Sequence, residues 1–79
     1  MANYTPEKTL DARGLKCPMP VVKTSQEIKN VPVGGVLEVL ATDPGSVADI
    51  QAWCKSTGNE LLGMEKGEGV FKFYIRRVK

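Results

Sequence analysis

Val36-Leu37-Glu38-Val39-Leu40-Ala41 is an almost continuously apolar hexapeptide, entered through Gly34-Gly35 and left through Thr42-Asp43-Pro44-Gly45-Ser46. A short apolar run bounded by turn residues suits an inner strand, covered by the rest of the chain. In a chain of 79 residues such a strand is most simply reached from an upstream strand by a right-handed βαβ crossover. The flanking sequence supplies the pieces. Upstream, Lys8-Thr9-Leu10-Asp11 is short and β-compatible, with Leu10 as its core contact. From Pro18 to about Asn30, Val21, Val22, Ser25 and Ile28 keep helical spacing, while Lys23, Gln26, Glu27 and Lys29 take the opposite face. Val31-Pro32-Val33-Gly34-Gly35 ends this helix, because Pro32 disfavours α geometry at Val31. Met1 to Pro6 reads as a loose leader.

Downstream, a second helix is predicted to begin near residues 44 to 47. Asp43 or Ser46 is its N-cap, and Ser46-x-x-Asp49 has the spacing of a capping box, with Asp in place of the usual Glu. Val47, Ile50, Trp53 and Cys54 share a face, and Gly58 stands where a left-handed cap belongs. Glu60 to Lys66 reads as a third strand, Gly67-Glu68-Gly69 as a turn and Val70 to Arg77 as a fourth strand. Phe71, Phe73 and Ile75 alternate with Lys72, Tyr74 and Arg76, so one face is buried under the helices and the other is wetter. The expected fold is an α/β two-layer sandwich of order β-α-β-α-β-β. Two helices pack on one face of a four-stranded mixed sheet, in a single domain over residues 1–79.

Within this frame one residue asks for chemistry. Cys17 stands at the junction between the first strand and the first helix, in Arg13-Gly14-Leu15-Lys16-Cys17-Pro18-Met19-Pro20. Pro18 and Pro20 remove backbone donors that have no intrahelical acceptor in a first turn and preset φ for helix entry. Gly14 lets the chain turn out of the strand, and Asp11 is placed to brace that turn through side-chain to backbone hydrogen bonds. A thiol at a helix mouth beside Arg13 and Lys16 is expected to favour thiolate. Cys54 lacks these features and reads as a buried, inert thiol. Two parallel helices on one face place Cys17 and Cys54 about 12 Å or more apart at 1.5 Å per residue, too far for a disulfide.

Composition narrows the chemistry further. Two cysteines, no CxxC and no histidine exclude a zinc knuckle and a Cys-His catalytic pair, and no metal or other cofactor is expected. The net charge of +2, from 11 basic and 9 acidic residues, does not suggest a dedicated nucleic-acid binder. The basic tail Arg76-Arg77-Val78-Lys79 reads as a solvated strand end that keeps an edge soluble. No signal peptide or apolar run of about 20 residues is found, so a soluble cytoplasmic protein is expected.

The segment Leu10-Asp11-Ala12-Arg13-Gly14-Leu15-Lys16-Cys17-Pro18-Met19-Pro20-Val21 resembles the signature of the TusA/SirA-like sulfur-carrier family, whose mark is Cys-Pro-x-Pro at the start of the first helix. Ala41-Thr42-Asp43-Pro44-Gly45-Ser46, Asp49-Ile50 and Trp53-Cys54 through Leu62 are similar to its second segment. The resemblance implies that Cys17 accepts a sulfane sulfur as a persulfide and passes it on, acting as a carrier rather than a free-standing enzyme. It implies a cysteine desulfurase or rhodanese-like donor, a DsrE-like or other acceptor, and a route to thiolation of transfer RNA or to sulfur oxidation. Arg13, Gly14, Lys16, Pro18, Pro20 and Asp11 would support the thiol. Met19, Arg13 and Lys16 would meet partners; some relatives carry Glu at the position of Met19. A monomer without direct nucleic-acid contact is expected.

Two other classes fit parts of the sequence. A thiol redox protein would use Cys17 to attack and Cys54 or a second chain to resolve. An RNA-contacting regulatory module would use the open sheet face, Tyr74 and the basic tail, against the low net charge.

Overall fold

The structure, a computed structural model, describes residues 5–79, so the first four residues of the expected leader lie outside the described residues. The elements are β1 (Lys8–Ala12), α1 (Met19–Glu27) with a 3-10 turn (Ile28–Asn30), β2 (Val36–Ala41), α2 (Ser46–Thr57), β3 (Glu60–Gly67) and β4 (Val70–Arg76). The sheet order is β1-β2-β4-β3. β1 runs parallel to β2, with Leu10 opposite Val39 and Ala12 opposite Ala41. β4 lies antiparallel to both of its neighbours, β2 and β3. The expected two-layer architecture is therefore the one found, and no helix among the described residues is long and apolar enough to cross a membrane.

The core follows from alternation on the strands. Leu37, Val39 and Ala41 of β2, and Phe71, Phe73 and Ile75 of β4, point to one side, where Ile28, Val31, Ile50 and Cys54 cover them. At the hairpin, Glu68 (φ 51°) and Gly69 (φ 79°) both take left-handed backbone, the conformation a two-residue turn needs to match the strand twist. Gly58 (φ 80°) closes α2, its N–H donating to the Cys54 carbonyl at 3.0 Å.

Four details differ from the sequence reading. The face of α1 turned to the core is centred on Pro20 and Thr24, with Val21, Val22 and Ser25 only partly buried. Thr24 is tolerated there because its hydroxyl donates to the Pro20 carbonyl at 2.7 Å, which satisfies the polar atom and leaves its methyl group to pack. At α2 the N-cap is Gly45, and no side chain caps the helix. The expected Ser46–Asp49 capping box does not form: the Ser46 hydroxyl turns back to the Asp43 carbonyl at 2.6 Å.

Tyr74, expected on the wetter face, is 6% exposed. It stands opposite Glu38 of β2 and Gly63 of β3. Burial, together with hydrogen bonds to the Glu38 and Glu65 carboxylates, pushes its phenol up to about 12. The basic tail, finally, is engaged within the fold. Arg76 pairs with Glu60 at 2.6 Å, and Arg77 donates through Nη1 to the Val31 carbonyl at 2.8 Å. Arg76 stays at the surface with its charge paired, and Arg77 is partly drawn into the fold.

Candidate functional site

Because β1 and β2 are parallel neighbours with Ala12 opposite Ala41, the loops that follow them leave the same edge of the sheet. Crossover connections place ligands and reactive groups at such an edge, outside the carboxyl ends of the strands. Here the edge brings residues 13–18 against residues 42–49. The Gly14 N–H donates to the Thr42 hydroxyl at 2.9 Å, and the Cys17 N–H donates to Asp43 Oδ2 at 2.7 Å. The other oxygen of Asp43 accepts from the Gly45 N–H at 3.1 Å. One carboxylate thus ties the thiol's backbone to the start of α2. These two backbone donors, with the positive charge of Lys16 in third place, hold the Asp43 carboxyl below the usual range.

Cys17 lies one residue ahead of Pro18, the N-cap of α1, and Pro20 occupies the first turn of that helix. The Cys17–Pro18 peptide is cis. The Met19 N–H donates to the Lys16 carbonyl at 2.8 Å, and the Pro18 carbonyl accepts from Val21 and Val22, both at 3.1 Å. The two prolines therefore fall where backbone N–H groups have no helical acceptor. Cys17 is exposed and Cys54 is buried, and both are free thiols. Burial pushes the Cys54 thiol up to about 11.

The environment of the Cys17 sulfur departs from the expected one. Arg13 does not reach it: Nε and Nη2 grip Asp11 Oδ1 and Oδ2 at 2.8 and 2.9 Å, and the Arg13 backbone N–H donates to Oδ1 at 3.1 Å. Asp11 braces the turn as expected, at Arg13 rather than Gly14. The Arg13 guanidinium in turn brings the Asp11 carboxyl down to about 2. Lys16 acts on Asp43.

The group that does reach the sulfur is Asp49, whose Oδ2 lies 2.6 Å from Cys17 Sγ. That hydrogen bond, followed by loss of hydration and by the negative charges of Asp49 and Asp43, raises the Cys17 thiol above its ordinary value. A carboxylate that accepts a hydrogen bond from a neutral thiol stabilises the protonated form. The expected lowering of this thiol is not what the geometry gives: the carboxylates of Asp49 and Asp43 push it up, while Arg13 is turned away to Asp11.

Asp49 is the site residue that sequence reasoning missed. Its spacing from Ser46 points to a helix cap, although an acid in the first turn of α2 at the carboxyl edge of β2 is within reach of whatever follows β1. Cys17 and Asp49 line an open groove of about 420 Å³ between α1 and α2, together with Pro18, Val21, Ala52, Trp53 and Ser56. Its lining is mainly apolar. Met19, 39% exposed, stands in the first turn of α1. A wider concavity of about 600 Å³ lies against the β3–β4 hairpin and is lined by neither cysteine.

The family described as sulfurtransferase TusA matches residues 8–77. The chain is 49% identical over 79 residues to a candidate sulfur carrier protein of Halobacterium salinarum, covering 99% of this chain and 98% of that one. It is 43% identical over 77 residues to the sulfur carrier protein TusA of Pseudomonas putida, covering 98% and 96% respectively. Among solved structures, a SirA-like protein of Desulfitobacterium hafniense superposes with a TM-score of 0.78 at 29% identity, over 91% of this chain and 99% of that one.

Proposed function

The chain belongs to the TusA sulfurtransferase family, and from that premise we propose that Cys17 is the cargo-bearing residue of a sulfur carrier. In this reading a donor protein presents a cysteine persulfide. The Cys17 sulfur attacks its outer sulfur, and the donor's S–S bond breaks as the new one forms. The donor leaves as a thiol and Cys17 holds the persulfide until an acceptor cysteine removes it by the same exchange.

The observation that carries the reading is the contrast between the two thiols: Cys17 is exposed and lines an open groove, while Cys54 is buried. A carrier needs an accessible sulfur and no second thiol close by to discharge the cargo as a disulfide. The same contrast disfavours a redox cycle resolved by Cys54 within the chain.

A cysteine desulfurase or a rhodanese-like protein is the proposed donor class, and a DsrE-like or other relay protein the acceptor class. The relay serves transfer-RNA thiolation or sulfur oxidation in the cytoplasm. Met19 and Lys16 belong to the face that meets partners. Arg13, Asp11, Gly14, Pro18 and Pro20 shape the turn that presents the sulfur.

Intact-mass measurement tests this after incubation with a cysteine desulfurase plus cysteine, or a rhodanese plus thiosulfate. Wild type gains about one sulfur, roughly 32 Da, and Cys17→Ser gains none. Equal gain on both proteins, or none on wild type with either donor, refutes the assignment.

A further inference from the structure

We propose that Asp49 holds the Cys17 sulfur in its protonated form in the free carrier and takes that proton when a sulfur donor docks, so that the nucleophile is released only in the complex. The proposal rests on Cys17 being the cargo-bearing residue and adds a proton acceptor and a control to that site.

Its basis is geometric. Asp49 Oδ2 lies 2.6 Å from Cys17 Sγ, within the reach required of a general base. The carboxylate is free of the capping role its spacing suggests, since α2 has no side-chain cap. The charged groups shown near the sulfur come from three segments. Asp49 comes from α2, and Asp43 from the loop after β2, where it accepts from the Cys17 N–H. Lys16, on the thiol's own loop, acts on Asp43, and Arg13 is bound by Asp11. The group in contact with the sulfur is therefore an anion, with a second carboxylate on the adjoining backbone N–H. This arrangement keeps a thiol unreactive towards oxidants and stray electrophiles, which act on the thiolate.

The balance of the step is simple. The Cys17 hydrogen passes to Asp49 as Sγ bonds to the outer sulfur of the donor's persulfide. The donor's S–S bond breaks with its electron pair on the donor sulfur, and the proton on Asp49 is then handed to that departing thiolate. The carrier's thiol becomes a persulfide and the donor's persulfide becomes a thiol, with no external oxidant or reductant. A donor seated over this open groove would cover the pair and strengthen the proton transfer. A donor that brings a cation against Asp43 and Asp49 would favour thiolate further.

Two readouts, expected to move in opposite directions, decide the matter in Asp49→Asn. The first is the rate of iodoacetamide alkylation at Cys17 against pH, assigned by peptide mass so that Cys54 does not contribute. Near pH 7 the variant alkylates severalfold faster than wild type, and its pH midpoint is lower. The second is the rate of sulfur loading from a cysteine desulfurase with cysteine, which falls by at least about tenfold because the base is gone. Asp49→Glu keeps the carboxylate and recovers part of both properties, and thermal melting confirms that both variants are folded. Alkylation profiles that coincide, or loading that accelerates along with alkylation, overturn the proposal. Wild type that takes up no sulfur while the alkylation difference persists refutes the carrier reading and with it the transfer half of the proposal, leaving the hold of Asp49 on the thiol standing.

Discussion

Replacing Ile50 with alanine tests whether α2, which carries Asp49 and Trp53, is fixed to the sheet by its buried stripe. Ile50 is 0% exposed and belongs to the same cluster as Leu37, Val39 and Phe73. Truncation removes buried carbons worth about 0.8 kcal/mol each on transfer, and the cavity left behind adds to this, so the loss is about 3 kcal/mol within a usual range of about 2–5. A chain of 79 residues has a total stability of about 4–12 kcal/mol. The variant therefore still folds at room temperature, but with much of its margin gone. At about 4–8 °C per kcal/mol for a domain of this size, its melting temperature falls by about 12–24 °C. Differential scanning calorimetry reads this directly, with Gln51→Ala on the exposed side of the same helix as the reference, expected within about 0.5 kcal/mol of wild type. If Ile50→Ala melts within a few degrees of Gln51→Ala, α2 is not held as described, and the placing of Asp49 against Cys17 loses its support.

Two further outcomes concern the scaffold. Cys54 and Tyr74 both keep their protons longer when folded, to about 11 against a model-compound value of 9.0 and to about 12 against 10.0. Raised acids of this kind mean that the unfolded chain releases protons first, so stability is complete below about pH 9 and declines as pH rises through 9 to 12. Urea midpoints that stay level from about pH 8 to 11 would contradict this. Gly58→Ala puts a side chain on left-handed backbone at the end of α2, where its Cβ also comes within 3.4 Å of the Lys79 side chain. It costs about 1–2 kcal/mol, seen as a melting temperature lower by about 4–16 °C, and an unchanged melt would show that the cap conformation is not required.

The strands and the crossover were legible because they depend on local pattern. The apolar run Val36–Ala41 is β2 to the residue, and the glycines at 58 and 69 mark the backbone that only glycine adopts cheaply. The thiol's position was legible too, since the paired prolines state where a helix begins. Its ionisation was not. Charge near a group in sequence differs from charge near it in space: Arg13, four residues away, is turned to Asp11, while Asp49, 32 residues away, touches the sulfur. Thr24 escaped for a related reason, because its hydroxyl is satisfied by a carbonyl that faces it only once the helix exists. Alternation puts Tyr74 on the open face, but it does not report the Glu38 and Glu65 carboxylates of two neighbouring strands that bond its hydroxyl there.

β4 is the last strand along the chain but stands inside the sheet, between β2 and β3. On the ribosome, both helices and three strands emerge before the strand that unites them, and β2 shows a bare hydrogen-bonding edge until residues 70–76 have cleared the exit tunnel. The fold therefore closes after translation of this segment rather than growing from its beginning. A stop codon ahead of Val70 leaves sticky, half-built strands for chaperones and proteases instead of a shortened working protein.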